Sequence, residues 1–554
     1  AMAEALGLRS GRRVEWLRLL GWCAWAGTAH SVVKVLFSWL RTRRMLRMLE
    51  DTPWARTGNE GSFRGFTVGF QKHRKRSHDW IHEISVGLPV SKICGLIFEP
   101  KQVALIVRDP ACIKHFLKDN FDSYTKPGPN AHIQIAFLRM WLGDGIFLFR
   151  HGIGAEDGGH AWLTQRKISS NIFSRDNFRN NMREVFVEKA HRMCDLLSDS
   201  ADRGETVDLQ KMFFGFTMDS ITRIFFGEDA DTMAGAACEY GEAFDEAHRS
   251  MLAYTRPNMS QIYMMSYLPW PLGWGIFSGL ASTLHSSLNK EYRRFRRACR
   301  LLDVESKKIV DKCRADPNID ARKDLLALFI QAEERERFTT KYLRDMVLNF
   351  VIAGRDTTAC LLSWMFYELS TKPEIQARLI AEIDAKLPAG GEPTLSALGE
   401  GAMPYLNGVI HETLRLHPPV PIDLKMTASD DVFPDGTRVP KGTMIWFVPY
   451  AMARDPAMYP EPEVFRPERW IPFKAPSPYE FPVFQAGPRI CLGVNMAVFE
   501  AKVLAVMLLQ RYTFKLKAGE EDKIHYSGTI TMSVCNSKDQ DSHNLWITPS
   551  KRPA

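Results

Sequence analysis

Phe484-Gln-Ala-Gly-Pro-Arg-Ile-Cys-Leu-Gly493 is the stretch that decides how the rest of the chain is read. It sets Cys491 just before Val494-Asn-Met-Ala-Val-Phe-Glu-Ala-Lys-Val-Leu-Ala-Val-Met-Leu-Leu509, whose apolar residues recur at helical spacing. A thiolate there lies at a helix N-terminus, where free N–H groups and the dipole stabilise negative charge. Gly487 and Gly493 are expected to let the backbone approach a flat macrocycle that a Cβ would obstruct. An isolated cysteine is usually a buried, inert small hydrophobe. The Phe-x-x-Gly-x-Arg-x-Cys-x-Gly spacing reads instead as a loop that hands one thiolate to a metal held in such a ring.

Upstream, Thr339-Thr340 predicts a helix start, and the helical pattern runs to the break at Lys372-Pro373. Its centre, Met346 to Leu362, is apolar on nearly every face, the mark of a helix buried all round. Inside it sits Ala353-Gly-Arg-Asp-Thr-Thr358. Glycine in a helix interior costs about 1 kcal/mol relative to alanine, so Gly354 is expected to open room beside a ligand. Thr357 can bond back to the Ala353 carbonyl and bend the helix, making a groove for dioxygen and a water. Asp356 beside Thr357 supplies an acid and an alcohol for relaying protons. Standing alone, the stretch also suits a helix with a packing glycine.

Two further pairs share helical faces. Glu412 and Arg415 lie three apart in Glu-Thr-Leu-Arg, before the helix-ending Pro418-Pro419. Phe465-Arg-Pro-Glu-Arg-Trp470 adds Arg469. In Trp162-Leu-Thr-Gln-Arg166 the aromatic and the guanidinium are four apart. Each pair by itself is an ordinary surface feature.

Taken in order from Trp162 to Gly493, these motifs resemble the cytochrome P-450 family of haem-thiolate monooxygenases. The resemblance implies a mainly α fold with a smaller β portion, a single large catalytic domain around a buried b-type haem. It implies Cys491 as the axial iron ligand, whose electron donation favours O–O cleavage, in a haem loop with Phe484, Gly487 and Gly493. Trp162, Arg166 and Arg489 are implied to meet the haem propionates, since arginine forks suit carboxylates. Lys425 stands near where the family often has another propionate-binding base. Glu412, Arg415 and Arg469 are implied to form a buried structural ion-pair triad behind the loop, and Thr357 with Asp356 the catalytic proton relay. Two departures stand out: Phe149-Arg-His-Gly-Ile-Gly-Ala-Glu-Asp-Gly-Gly159 is longer than usual, and the Pro-rich hinge is poorly developed at Asp51-Thr-Pro-Trp54.

The 554-residue length alone suggests three or four domains. No Gly/Ser linker, low-complexity run or repeat separates the motifs, so the expectation is one catalytic domain over 51–554 behind an N-terminal segment, 1–50. Residues 51–100 look irregular, with short strands nearby such as Val103–Val107, and Lys126-Pro-Gly-Pro129 is a turn. The pattern is helical from about Trp162 to 380, with strand candidates at Thr443–Val448, Gly528–Val534 and Asn544–Thr548.

The net charge of +8 suits a basic docking face or a membrane surface. Lys72-His-Arg-Lys-Arg76 and Arg293-Arg-Phe-Arg-Arg297 read first as solvated faces, and neither has the context of a nucleic-acid reader. The ten cysteines are scattered without a Cys-x-x-Cys pair, as free thiols in a reducing compartment are. Leu19 to Leu40 is mostly apolar but carries His30 and Lys34, so its unbroken part falls short of the ~20 residues of a spanning helix. Arg41, Arg43, Arg44 and Arg47 follow it, and Arg9, Arg12 and Arg13 precede it. A membrane anchor, an Arg-rich transit peptide and an interfacial helix all fit. The corresponding locations are the cytosolic face of the endoplasmic reticulum membrane, or a plastid or mitochondrion.

The resemblance implies insertion of one atom of O₂ into an apolar C–H bond. No Rossmann fingerprint or reductase-length extension is read in the sequence, so the electrons are expected from a separate NADPH-dependent flavoprotein reductase, or from a ferredoxin if the enzyme is organellar. A haem-thiolate isomerase or dehydratase acting on peroxides, and a haem-thiolate gas sensor, are the other readings. Asp356 and Thr357 speak against the first, and the lack of an appended signalling domain against the second. Gly143-Asp-Gly-Ile-Phe147, Ile422-Asp-Leu-Lys425 and Asp430-Asp-Val-Phe-Pro-Asp-Gly-Thr437 resemble the plant-type fatty-acid ω-hydroxylases. They imply hydroxylation at or near the end of medium- to long-chain fatty acids; sterols, terpenoids and alkanes are the alternative substrates, because an apolar pocket alone does not rank them.

Overall fold

The computed structural model describes residues 33–553, apart from 59–65, 96–101, 129–132, 174–181, 235–238, 255–288, 538–541 and scattered single positions. The main helices are α1 (Ile133–Leu142), α2 (His160–Ser170), α3 (Arg183–Arg203), α4 (Leu209–Phe226), α5 (Glu239–Tyr254) and α6 (Lys290–Arg314). After them come α7 (Thr340–Thr371), α8 (Pro373–Lys386), α9 (Pro404–Leu416) and α10 (Val494–Arg511). Their ends follow from local chemistry. Thr339 caps α7 by accepting from the Tyr342 amide, and Pro373 opens α8 directly behind it. Gly204 and Gly227 close α3 and α4 in left-handed conformations.

α7 is the axis of the molecule. Leu343, Met346, Leu348, Val351, Leu362, Met365 and Phe366 are buried on several of its faces, as its unbroken apolar sequence requires. Gly354 lies where α7 crosses α4: a Cβ there would stand 2.2 Å from Ile221 Cδ1. This corrects the expectation that Gly354 opens ligand space, because its missing side chain makes room for the neighbouring helix.

A five-stranded sheet runs in the order β1 (Val90–Gly95), β2 (Gln102–Val107), β6 (Met444–Phe447), β5 (Asp423–Thr427), β3 (Tyr124–Thr125), with only β2 and β6 parallel. In β2, Ala104 and Ile106 face the main core, while Val103, Leu105 and Val107 face a second apolar cluster. Both faces are covered, so the strand reads as a continuous apolar run. β4 (Val207–Asp208), β8 (Trp546–Lys551) and β7 (Tyr512–Leu516) form a smaller sheet.

The region expected to be irregular contains a helix, Ser77–Ser85, with Trp80, Ile81 and Ile84 turned inward. Among the described residues of the strand expected over 528–534, only Val534 belongs to one, Val534–Cys535, and the last strand is displaced to Trp546–Lys551. The end of the N-terminal segment is docked. Met45 and Leu49 are buried in the second cluster, and Lys92 Nζ donates to the Leu49 carbonyl at 2.6 Å. Most of Leu19–Leu40 lies outside the described residues, and no described helix is long and apolar enough to cross a membrane.

Candidate haem-thiolate site

The Phe484–Gly493 loop folds back on itself, with the Cys491 amide donating to the Phe484 carbonyl at 2.8 Å. Gly487 takes a φ of +61°, and a Cβ on it would lie 2.0 Å from the Leu117 carbonyl oxygen. The reason for this glycine is therefore close approach to the protein's own backbone, which corrects the macrocycle expectation at this position. At Gly493 a Cβ would make only ordinary contacts, 3.7 Å to Phe173 and 3.9 Å to Cys491 Sγ. A side chain would fit there without displacing a neighbour.

Of the eight described cysteines, Cys491 alone is exposed, whereas burial pushes the thiols of Cys194 and Cys299 up to about 11 and about 12. Burial also raises the Cys491 pKa, against the opposing pull of the Gly493 amide and Arg166. The Gly493 amide, at the start of α10, and Arg166 favour the thiolate but do not outweigh burial.

Arg166 is turned toward the thiolate side of the loop. Its Nη2 donates to the Ile490 carbonyl at 2.9 Å, and its guanidinium lies 5.7 Å from the Trp162 ring centroid. Arg489 covers the same ring at 4.4 Å. The indole thus organises both arginines.

Arg489 and Lys425 belong to a buried basic cluster. Lys126 Nζ meets Asp423 Oδ1 at 2.7 Å, and Gln485 Nε2 donates to the other oxygen of the same carboxylate. Burial opposes ionisation of Asp423, but Lys126 and Lys425 outweigh it and hold the carboxyl below its ordinary value. Lys425 is fully buried on β5, and its Nζ has no hydrogen-bond partner among the described residues. Burial first, and then Lys126, pulls its pKa well below the ordinary value. Burial likewise lowers the Arg489 pKa to about 9, partly offset by Asp423. Three cationic side chains thus face one carboxylate, with one ammonium lacking a partner. Such a cluster calls for further anionic oxygens, and the two propionates of a haem fit it.

On α7, Ala353, Gly354 and Thr357 are half-buried within an otherwise buried stretch. Their spacing puts Ala353 and Thr357 on one face. Thr357 Oγ1 donates to the Ala353 carbonyl at 2.6 Å, as the sequence predicts. Asp356 is turned elsewhere: Oδ1 accepts from Arg355 at 2.8 Å, and Oδ2 lies 3.5 Å from His248 Nδ1. Burial opposes its ionisation, but Arg355 and His248 hold the carboxyl below its ordinary value. No hydrogen bond joins Asp356 to Thr357 among the described residues, so the structure does not bring the expected pair into contact.

Glu412, Arg415 and Arg469 do meet. Arg415 forks onto Glu412 at 2.8 and 2.9 Å, and Arg469 Nε reaches it at 3.0 Å. Trp470 Nε1 and the Arg466 amide complete the carboxylate's shell, both at 2.9 Å, and Arg415 also bonds the Ala453 and Pro462 carbonyls at 2.7 Å. Sequence reasoning missed Trp470, Lys126, Asp423, His151 and Glu500. All five stand inside stretches already quoted, but the placing of Lys126, His151 and Glu500 depends on contacts with distant parts of the chain.

A cytochrome P450 family model matches residues 71–540. The chain belongs to the cytochrome P450 family. It is 32% identical over 474 residues to cytochrome P450 CYP94D108 of Paris polyphylla, covering 82% of this chain and 85% of the relative. Cytochrome P450 704C1 of Pinus taeda is 30% identical over 519 residues, covering 88% and 91%. Cytochrome P450 94C1 of Arabidopsis thaliana is 31% identical over 481 residues, covering 84% and 89%. This P450 is therefore a monooxygenase that uses haem b with a cysteine thiolate ligand, O₂ and electrons from a redox partner.

Proposed function

We propose that this P450 hydroxylates medium- to long-chain fatty acids at or near the terminal carbon. The observation that carries the reading is the joint presence of Gly143–Phe147, Ile422–Lys425 and Asp430–Thr437, which resemble the plant fatty-acid ω-hydroxylases. Similarity to plant P450s of the 94 and 704 groups supports it.

Cys491 is the thiolate ligand in this reading, supported by its exposure, in contrast to the other described cysteines. When bound, the haem supplies O₂ activation, and thiolate donation favours O–O cleavage. Lys425, Arg489 and Arg166, the two arginines steadied by Trp162, hold the propionates, and Arg166 also stabilises negative charge on Cys491. Phe484 and Gly487 fix the shape of the loop, and Gly493 keeps the backbone beside Cys491 free of a side chain for the ring. Glu412, Arg415 and Arg469 brace it without touching substrate. Thr357 holds a proton-donating water on the helix face, and Asp356 passes protons inward by leaving its contacts with Arg355 and His248.

The electron donor is an NADPH-dependent flavoprotein reductase, or a ferredoxin for an organellar enzyme. Residues 1–50 are an anchoring or targeting segment, with 51–554 the catalytic domain on the cytosolic face of the endoplasmic reticulum membrane. The test is turnover by purified holoenzyme with reductase and a panel of fatty acids, sterols, terpenoids and alkanes. An ω- or near-ω-hydroxy acid is expected. Turnover of a sterol with no oxygenated fatty acid overturns the assignment.

A further inference from the structure

The stretch before α2 singled out for its length delivers a histidine into the basic cluster. Its backbone is pinned to residues 121–125: the Ile153 amide donates to the Asp122 carbonyl at 2.9 Å, and the His151 amide to Thr125 Oγ1 at 3.3 Å. Gly152 has a φ of +62°, and a Cβ there would lie 2.3 Å from the Asp122 oxygen, so the close approach requires glycine. His151 is buried and stacks on Phe121 with centroids 3.8 Å apart.

Its two ring nitrogens have different partners. Nε2 lies 3.2 Å from the Phe121 carbonyl, which only accepts. Nδ1 lies 2.8 Å from Arg489 Nη2 and 3.2 Å from Nε, which only donate. The ring is therefore neutral and protonated on Nε2. Burial, followed by Arg489 and Lys425, agrees by drawing its pKa down to about 2. The same stretch supplies two more acceptors for Arg489, the Phe149 carbonyl at 2.7 Å and the Ile146 carbonyl at 3.2 Å.

We propose that His151 is a positioning residue of the haem site, its Nδ1 serving as the neutral acceptor that fixes the Arg489 guanidinium over Trp162 for a propionate. A carboxylate in its place would cancel the charge of Arg489; an uncharged acceptor orients the fork and leaves that charge for the haem. The inference rests on Arg489 holding a propionate.

Two variants separate the acceptor from the ring. His151→Phe keeps the stack on Phe121 and removes both nitrogens; His151→Asn loses the ring but keeps an acceptor near Nδ1. Haem transfer from the ferric holoenzyme to excess apo-globin, and the ferric/ferrous midpoint potential, are measured for both and for Arg489→Leu. His151→Phe is expected to lose haem about tenfold faster than wild type and to shift the potential, with His151→Asn within about threefold. Both should keep the thiolate-type band of the reduced carbon-monoxide complex. Equal loss from the Phe and Asn variants overturns the acceptor role in favour of shape. Wild-type loss from His151→Phe beside fast loss from Arg489→Leu overturns the role of His151 alone. Wild-type loss from both overturns the propionate assignment as well. If His151→Phe yields no holoprotein, His151→Ala removes the same acceptor and takes its place.

Discussion

At Cys491 the decisive property is sulfur donation. Cys491→Ser should abolish the strongly red-shifted absorption of the reduced carbon-monoxide complex, because an alkoxide or water ligand lacks that donation. A mutant that keeps the band makes another cysteine the ligand, though the described alternatives are all buried. Thr357 is tested by coupling. Its hydroxyl already spans to the Ala353 carbonyl, so Thr357→Ala should spare haem binding while product per electron falls and hydrogen peroxide appears. A tenfold loss of coupling corresponds to about 1.4 kcal/mol between the two exits. Unchanged coupling with altered stability would reduce Thr357 to packing. Asp356→Asn should slow O₂-dependent turnover more than peroxide-driven turnover, because only the first needs protons carried in. Residue chemistry was legible where it is local, as in the Thr357 bond and the cysteine spacing. It was misread at Gly354 and Gly487, because the atoms that demand glycine, Ile221 Cδ1 and the Leu117 carbonyl, come from distant parts of the chain.

Among the elements, α9 and α10 hold opposite kinds of buried carboxyl. Glu412 on α9 is ionised: burial pushes its pKa up, and Arg415 with its other donors more than reverses that. Glu412→Ala strands a buried guanidinium and should cost about 3–5 kcal/mol, read as a lowered thermal midpoint and a loss of holoprotein. A midpoint within a degree of wild type would show the triad to be dispensable. Glu500 on α10 is buried with its pKa raised well above the ordinary 4.5 by desolvation, against opposing bonds from Ser220 and Thr358. The native state thus keeps a proton that the unfolded chain gives up above about pH 4.5. Stability then falls as pH rises from that value toward the higher native pKa. Glu500→Gln removes this loss, so its thermal midpoint should gain on wild type between pH 5 and pH 8. Parallel midpoints across that range would show Glu500 to be ionised in the fold. Capped, periodic helices such as α7 were legible because their signals are local. The Ser77–Ser85 helix was overlooked because it is short and its N-cap residue makes no side-chain cap bond. The Gly143–Phe147 motif acquires a packing reason: a Cβ on Gly143 would meet Asp345, and one on Gly145 would meet Asn349, both on α7. Its link to substrate is thus indirect, which is why the sequence ranks substrates less sharply than it identifies the family.

For the molecule as a whole, the sequence conveyed one large domain because no linker separates its motifs, and the main core accordingly runs from Ala55 to Ile547. It left the membrane question open, since apolar and basic residues are mixed at the N-terminus. The structure adds a specific arrangement there. Val33, Leu36, Phe37, Trp39 and Leu40 are exposed, Arg43 lies 5.1 Å from the Trp39 ring centroid, and the chain then docks through Met45 and Leu49. Exposed apolar side chains next to Arg41, Arg43, Arg44 and Arg47 form the pattern of a surface that inserts rings and aliphatics while its cations meet anionic headgroups. Each arginine near an anionic surface is worth about 1 kcal/mol. The full chain should therefore float with neutral vesicles and retain more protein with anionic ones, the difference shrinking as salt rises. Removing residues 1–38 leaves Met45 and Leu49 in place, so the fold and the carbon-monoxide spectrum should survive while flotation with neutral vesicles is lost. Changing Arg41, Arg43, Arg44 and Arg47 to glutamine should erase only the anionic preference. If the truncated protein floats as well as the full chain, the membrane face lies elsewhere on the catalytic domain. If the full chain floats with neither vesicle, the segment is a targeting sequence and the organellar, ferredoxin-linked reading replaces the anchor.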